Sequence, residues 1–190
     1  MNVLDLKNIR EAVPFPRDME RIDIRLATKK PQVQNQGVFE KIIKLLQDNK
    51  INYQLFEHEP VYTSEEAAKV RGTKIEQGAK ALVMIADKKP IMLVTSAAKK
   101  VDTKKFKEAF GVGDLRMATA EEVKDLTGVE IGAVPPFAHL FELPLYVDQS
   151  LGKNEKIVFN AGLHTKSIKM SYQDYRQLTK PTSGSFSVPV

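Results

Sequence analysis

Between residues 63 and 128 the chain twice carries the same helix-start signal, and each time a glycine follows a short way downstream. Thr63-Ser-Glu-Glu66 leads to Gly72, and Thr119-Ala-Glu-Glu122 leads to Gly128. In such a box the threonine hydroxyl accepts the amide of the glutamate, whose carboxylate returns to the threonine amide; the glycine then ends the helix. Helices confined to spans this short cannot build a bundle. Apolar runs between and beyond them read as strands, and the chain is predicted to mix the two.

The remaining segments agree. Val38, Phe39, Ile42, Ile43, Leu45 and Leu46 form one helical stripe, predicting an amphipathic helix over 38–49. Ile51-Asn-Tyr-Gln-Leu55 alternates as a half-buried strand does, and Ala81–Ala86 with Ile91–Thr95 reads as an antiparallel hairpin across Asp87-Lys-Lys-Pro90. Asp102 is placed to cap a helix reaching Phe110, and Ser171 one reaching Leu178; short strands are expected near 145–148, 156–160 and 167–170. No regular βαβ repeat is present. The expected fold class is α+β, a compact mixed β-sheet surrounded by short helices.

Residues 1–36 read differently. Pro14, Pro16 and Pro31 interrupt them, and Gln32-Val33-Gln34-Asn35-Gln36 ends at Gly37, so they are expected to be an N-terminal arm and linker. The domain proper is expected over 37–180, and the Pro/Ser/Gly-rich residues 181–190 as a mobile tail.

With 190 residues, 42% of them hydrophobic, the chain can bury a core for one domain and an appendage, not two. It has no cysteine, which removes disulfides, thiolate nucleophiles and cysteine-held zinc. Its three histidines, His58, His139 and His164, stand too far apart in sequence for a metal motif. No run approaches the roughly 18 apolar residues that span a bilayer, and the mixed charge of residues 1–10 is unlike a secretory signal; the expected compartment is the cytoplasm. The net charge of +5 is compatible with a polyanionic partner, and lysines gather at 99–107 and 153–169. That clustering suits a solvated face and a phosphate-binding one equally well.

There is no G-x-S-x-G elbow, Walker A loop or dinucleotide fingerprint, so hydrolysis here would have to use a positioned water. Four segments place distinctive backbone beside a donor. Glu57-His58-Glu59-Pro60-Val61-Tyr62-Thr63-Ser64 runs from a strand into a capped helix whose free amides suit an anion or a carbonyl oxygen; equally, it is an ordinary strand-to-helix connection. Gly78-Ala79-Lys80-Ala81-Leu82-Val83 sets a lysine at the mouth of a buried strand, where it could bind a phosphate or ester, or simply solvate the strand edge. Gly128–Phe137 contains Gly132, where main chain can approach a ligand, and a stiff Pro135-Pro136 pair: a backbone platform or a rigid turn. Phe159–Ile168 puts His164 and Thr165 in a turn between strands, where the imidazole could take a proton or be structural.

In this order and at these separations the four segments resemble the YbaK/EbsC and prolyl-tRNA-synthetase-associated editing domains, over about Val38 to Leu178. The resemblance implies a trans-editing hydrolase that removes the amino acid from mischarged tRNA without metal or organic cofactor. The alternative is a tRNA- or synthetase-binding adaptor that has kept the fold and lost hydrolysis. The catalytic set implied is Lys80, Gly132 and His164, with His58, Thr63, Ser64, Val134, Pro135, Phe137 and Thr165 binding substrate. The implied partners are mischarged aminoacyl-tRNA and, secondarily, an aminoacyl-tRNA synthetase; no membrane partner is implied. Two departures from the family pattern stand out: Ala138-His139 follows Pro-Pro-Phe where glycine is common, and Ala81 follows the lysine where some alanine-specific relatives carry a polar residue.

Overall fold

The computed structural model describes residues 35–190. The arm expected over 1–36 lies outside them except for its last two residues, which open the first helix. That helix, α1 (Asn35–Asp48), therefore starts earlier than the expected residue 38 and runs through Gly37. Its stripe is as predicted: Val38, Ile42 and Leu46 are buried, and Phe39, Ile43 and Leu45 pack at the margin of the same core.

The elements that follow are β1 (Tyr53–Glu57), α2 (Ser64–Arg71), β2 (Ala79–Ala86), β3 (Lys89–Ser96), β4 (Lys99–Val101), α3 (Thr103–Phe110), β5 (Leu115–Met117), α4 (Ala120–Thr127), β6 (Leu145–Asp148), β7 (Lys156–Leu163), β8 (Lys166–Ser171), α5 (Tyr172–Thr179), β9 (Thr182–Gly184) and β10 (Ser187–Pro189). Both capping boxes form. Thr63 and Thr119 accept the amides of Glu66 and Glu122, and those carboxylates return to the cap amides. Gly72 and Gly128 close the helices in left-handed geometry, and Asp102 and Ser171 cap α3 and α5 as expected.

The β-structure divides into three parts. A mixed sheet runs β5-β2-β3-β6-β9, an antiparallel sheet runs β1-β8-β7, and β10 pairs with β4 as a ribbon. In the mixed sheet β2 and β3 form the hairpin, turning at Asp87-Lys88 with φ 46° and 67°, while β3–β6 and β6–β9 are parallel. A lone parallel bridge, Gly78 to Val158, joins the two larger sheets.

The β2–β3 hairpin is covered on both faces, which is why its strands read as unbroken apolar runs. Val83, Ile85, Met92 and Val94 face a large core shared with α1, β7, β8, Phe137 and Tyr175. On the opposite face, Met84, Ala86, Ile91 and Leu93 meet a smaller core built on Phe106, Phe110, Tyr146 and Phe186.

That second core corrects the expectation of a mobile tail. Residues 182–184 pair with β6 and residues 187–189 with β4. Between them the Phe186 ring is fully buried, edge-on to Phe106 at 5.3 Å. Its amide donates to Oδ2 of the buried Asp148 at 2.7 Å. Composition suggested mobility, but one aromatic side chain and one buried carboxylate fix the segment.

Candidate active site

β5 pairs with β2 only over Met84–Ala86. Among the described residues the first half of β2 therefore has no strand on that side, and a cavity of about 240 Å³ opens against it. Its wall takes Tyr62, Thr63, Ser64 and Arg71 from the start and end of α2, Lys80 and Leu82 from β2, and Gly132 and Val134 from the 128–137 segment. Ala118 and Val123 supply apolar wall, as do Val158 and Phe159 of β7, where Asn160 adds a polar group. Four of the sequence segments thus meet at one place, brought there by the β2 edge and the bridge from Gly78 to Val158.

Lys80 is half-buried in this wall. Its Nζ donates to the carbonyl oxygen of Lys99 at 2.8 Å, which fixes where the ammonium sits. Burial pushes its pKa below the ordinary lysine value, with the charge of Glu65 opposing.

Gly132 has φ +86°, and a Cβ built on it would stand 3.1 Å from Cε1 of His164. Its carbonyl accepts from Nδ2 of Asn160 at 2.5 Å. Asn160 Oδ1 in turn accepts from the Arg71 guanidinium. Ser167 Oγ lies 3.3 Å from that same oxygen and 2.6 Å from Nε2 of His58, so its single proton serves one of the two at a time. His58 Nδ1 lies 2.8 Å from the carbonyl of Glu59, an oxygen that can only accept, so Nδ1 is the protonated nitrogen.

Of the residues expected to bind or react, Lys80, Gly132, Thr63, Ser64 and Val134 line the cavity. The others lie elsewhere. His164 backs Gly132: its Nδ1 is 3.1 Å from the carbonyl of Val61, its ring is 4.8 Å from that of Tyr62, and Nε2 is 3.9 Å from the Glu130 carboxylate. His58 belongs to the network behind Asn160 rather than to the wall. Thr165 gives its carbonyl to the amide of His58. Pro135 is buried beside the wall rather than in it. Phe137 is fully buried, packed on Phe159 and Tyr175, because the Pro-Pro turn drives it into the core, where Tyr175 Oη donates to Pro136 O at 2.8 Å. Phe137 lies in the core and is not part of the cavity wall.

Arg71 and Asn160 went unnoticed in the sequence. Arg71 reads as an ordinary basic residue in the last turn of a helix, and nothing local reveals that its guanidinium is 89 residues from its hydrogen-bond partner in sequence. Among the described residues no group of three or more His, Asp or Glu side chains is placed to hold a metal ion. Among them, too, no helix is long and apolar enough to cross a membrane.

Compared with known proteins, residues 58–178 match the family model of the aminoacyl-tRNA editing domain. The chain is 32% identical over 154 residues to the multifunctional Ser/Thr-tRNA deacylase ProXp-y of Escherichia coli K12, covering 77% of this chain and 91% of that protein. It is 26% identical over 151 residues to the prolyl-tRNA editing protein ProX of Acetoanaerobium sticklandii, covering 76% and 92%. A crystal structure of a proposed trans-editing enzyme for prolyl-tRNA synthetase superposes with a TM-score of 0.71 at 27% identity, covering 80% of this chain and 97% of that one.

Proposed function

The chain belongs to the aminoacyl-tRNA editing domain family, and on that premise we propose that its cavity is where mischarged aminoacyl-tRNA is deacylated. The protein is an aminoacyl-tRNA deacylase acting in trans: one relative is named a Ser/Thr-tRNA deacylase and another a prolyl-tRNA editing protein, and the solved neighbour is described as a proposed trans-editing enzyme. Its substrate partner is mischarged aminoacyl-tRNA, and a prolyl-tRNA synthetase is a second candidate partner, given the structural neighbour's description. We assign the catalytic unit to residues 35–190, because β9, Phe186 and β10 belong to its sheets and second core, and its place of action to the cytoplasm, where aminoacyl-tRNA is made and used.

The observation that carries this reading is the meeting of Lys80 and Gly132 across one small cavity whose remaining wall is largely apolar. An aminoacyl ester is already activated, so its hydrolysis needs placement and charge stabilisation more than a strong nucleophile. Water adds to the ester carbonyl carbon, the bond from that carbon to the ribose oxygen breaks, and the ribose hydroxyl recovers a proton. The neighbouring hydroxyl of the terminal ribose orients the water. Lys80 lies at the ester end, its ammonium stabilising developing negative charge. The main chain at Gly132 forms one side of the slot, and Val134, Ala118 and Val123 limit the size of the amino-acid side chain that enters. His164 acts through Gly132, holding that segment in place from behind. Thr63 and Ser64 border the entrance.

The test is release of free amino acid from tRNA charged with alanine, cysteine, serine, threonine or proline. Release from any of them supports the deacylase. Binding without release across the panel supports the adaptor instead.

A further inference from the structure

Among the described residues the cavity wall contains three cations, Arg71, Lys74 and Lys80, and no carboxylate. Lys80 has its main-chain partner and Lys74 is exposed. Arg71 is different. It is largely buried, and burial alone draws its pKa down to about 10. Among the described residues its guanidinium has one hydrogen bond, to the neutral Asn160, and no ion pair. Its Nε is buried without a partner there, as is Oγ1 of Thr73 two residues on, also in the cavity wall. The end of α2 is a favourable place for a cation, but a helix terminus supplies only partial charge. A buried guanidinium facing a cavity, with no counter-anion among the described residues, calls for an anion from the ligand.

This argument rests on the reading of the cavity as the aminoacyl-tRNA site. The amino acid brings an α-ammonium, which a guanidinium repels; the anions of the substrate are its phosphodiesters. We infer that Arg71 binds the phosphodiester preceding the 3′-terminal adenosine, a planar fork on two phosphate oxygens, and so sets how far the ester enters the cavity. Lys74 lies beside it at the surface. The hydrogen bond to Asn160, and through it to Gly132, makes the same guanidinium report phosphate binding to the backbone beside the ester.

The experiment compares affinities for an uncharged RNA minihelix ending in that adenosine, with its last linkage either a phosphodiester or a neutral methylphosphonate. Wild type should bind the neutral form roughly tenfold to a hundredfold more weakly, the usual scale for a charge-assisted hydrogen bond. Arg71→Ala should bind the natural form that much more weakly and no longer distinguish the two, and Arg71→Lys should keep part of the discrimination. Equal wild-type affinities would overturn the inference, as would an Arg71→Ala protein that still discriminates. If Arg71→Ala fails to fold, Arg71→Gln takes its place in the comparison. Because the probe carries no ester, the result stands apart from amino-acid release by wild type, which decides the deacylase reading separately.

Discussion

The Cβ that Gly132 lacks would stand 3.1 Å from Cε1 of His164, in a backbone conformation, φ +86°, that side chains rarely adopt. The glycine is thus favoured by its own backbone, and a side chain there would make His164 give by a few tenths of an ångström, before any substrate is considered. Gly132→Ala should lower stability by about 1–2 kcal/mol through the left-handed backbone and displace His164. Adding His164→Ala should relieve the contact but leave the backbone cost. Thermal melts of the two variants check this. A Gly132→Ala protein with unchanged melting temperature and unchanged turnover contradicts it.

Asp148 ties the tail to the second core, and its pKa gives the sign of its pH dependence. Burial pushes the carboxylate up, but hydrogen bonds from Ser150, Phe186 and Ser187 outweigh burial, leaving the pKa below the ordinary value. Its stabilising contribution is therefore fully present above the unfolded value, about 3.9, and is lost as pH falls through the lower folded value. Asp148→Asn should cost about 1–3 kcal/mol at neutral pH, the scale of leaving a buried amide donor without its acceptor. The gap between variant and wild-type melting temperatures should narrow as pH falls below about 4. A gap that stays constant from neutral pH into that range contradicts the assignment.

Affinity for tRNA should fall linearly on a log–log plot against salt, because each phosphate neutralised releases counterions. Lys104 is well exposed, and its ion pair to Glu108 is long at 4.0 Å and solvent-exposed, so the ammonium can leave it to reach RNA. Lys166 is already engaged, paired with Glu57 and 4.9 Å from the centre of the Phe39 ring. Lys104→Ala should flatten the slope by about 1, and Lys166→Ala should leave it unchanged. Salt titrations of the three proteins decide the matter.

Much of the fold is legible because its signals are local. A capping box at Thr63 or Thr119, an aspartate before α3 and an apolar run broken at Asp87 each act within a few residues, and each element forms where its signal lies. The site is legible in its segments, and Lys80, Gly132 and Val134 do meet in one wall. What could not be read locally depends on distant partners. Phe137 turns inward because Phe159 and Tyr175 leave a place for it, and Phe186 orders the tail because Asp148 lies 38 residues away. Arg71 matters because Asn160, far along the chain, holds it against the cavity.

The most direct measurement is the single-turnover release of amino acid from mischarged tRNA by wild type and Lys80→Ala, with both melting temperatures determined alongside. Lys80 lies at the cavity edge, its ammonium on the carbonyl of Lys99, so its loss should leave the fold close to wild-type stability. The rate should fall by about 10² to 10³, as for the loss of one charge-stabilising donor. Lys80→Arg should also be impaired, since a planar fork does not replace a compact ammonium. Release by wild type and near-background release by a folded Lys80→Ala protein is the predicted result; equal rates from the two would contradict the account.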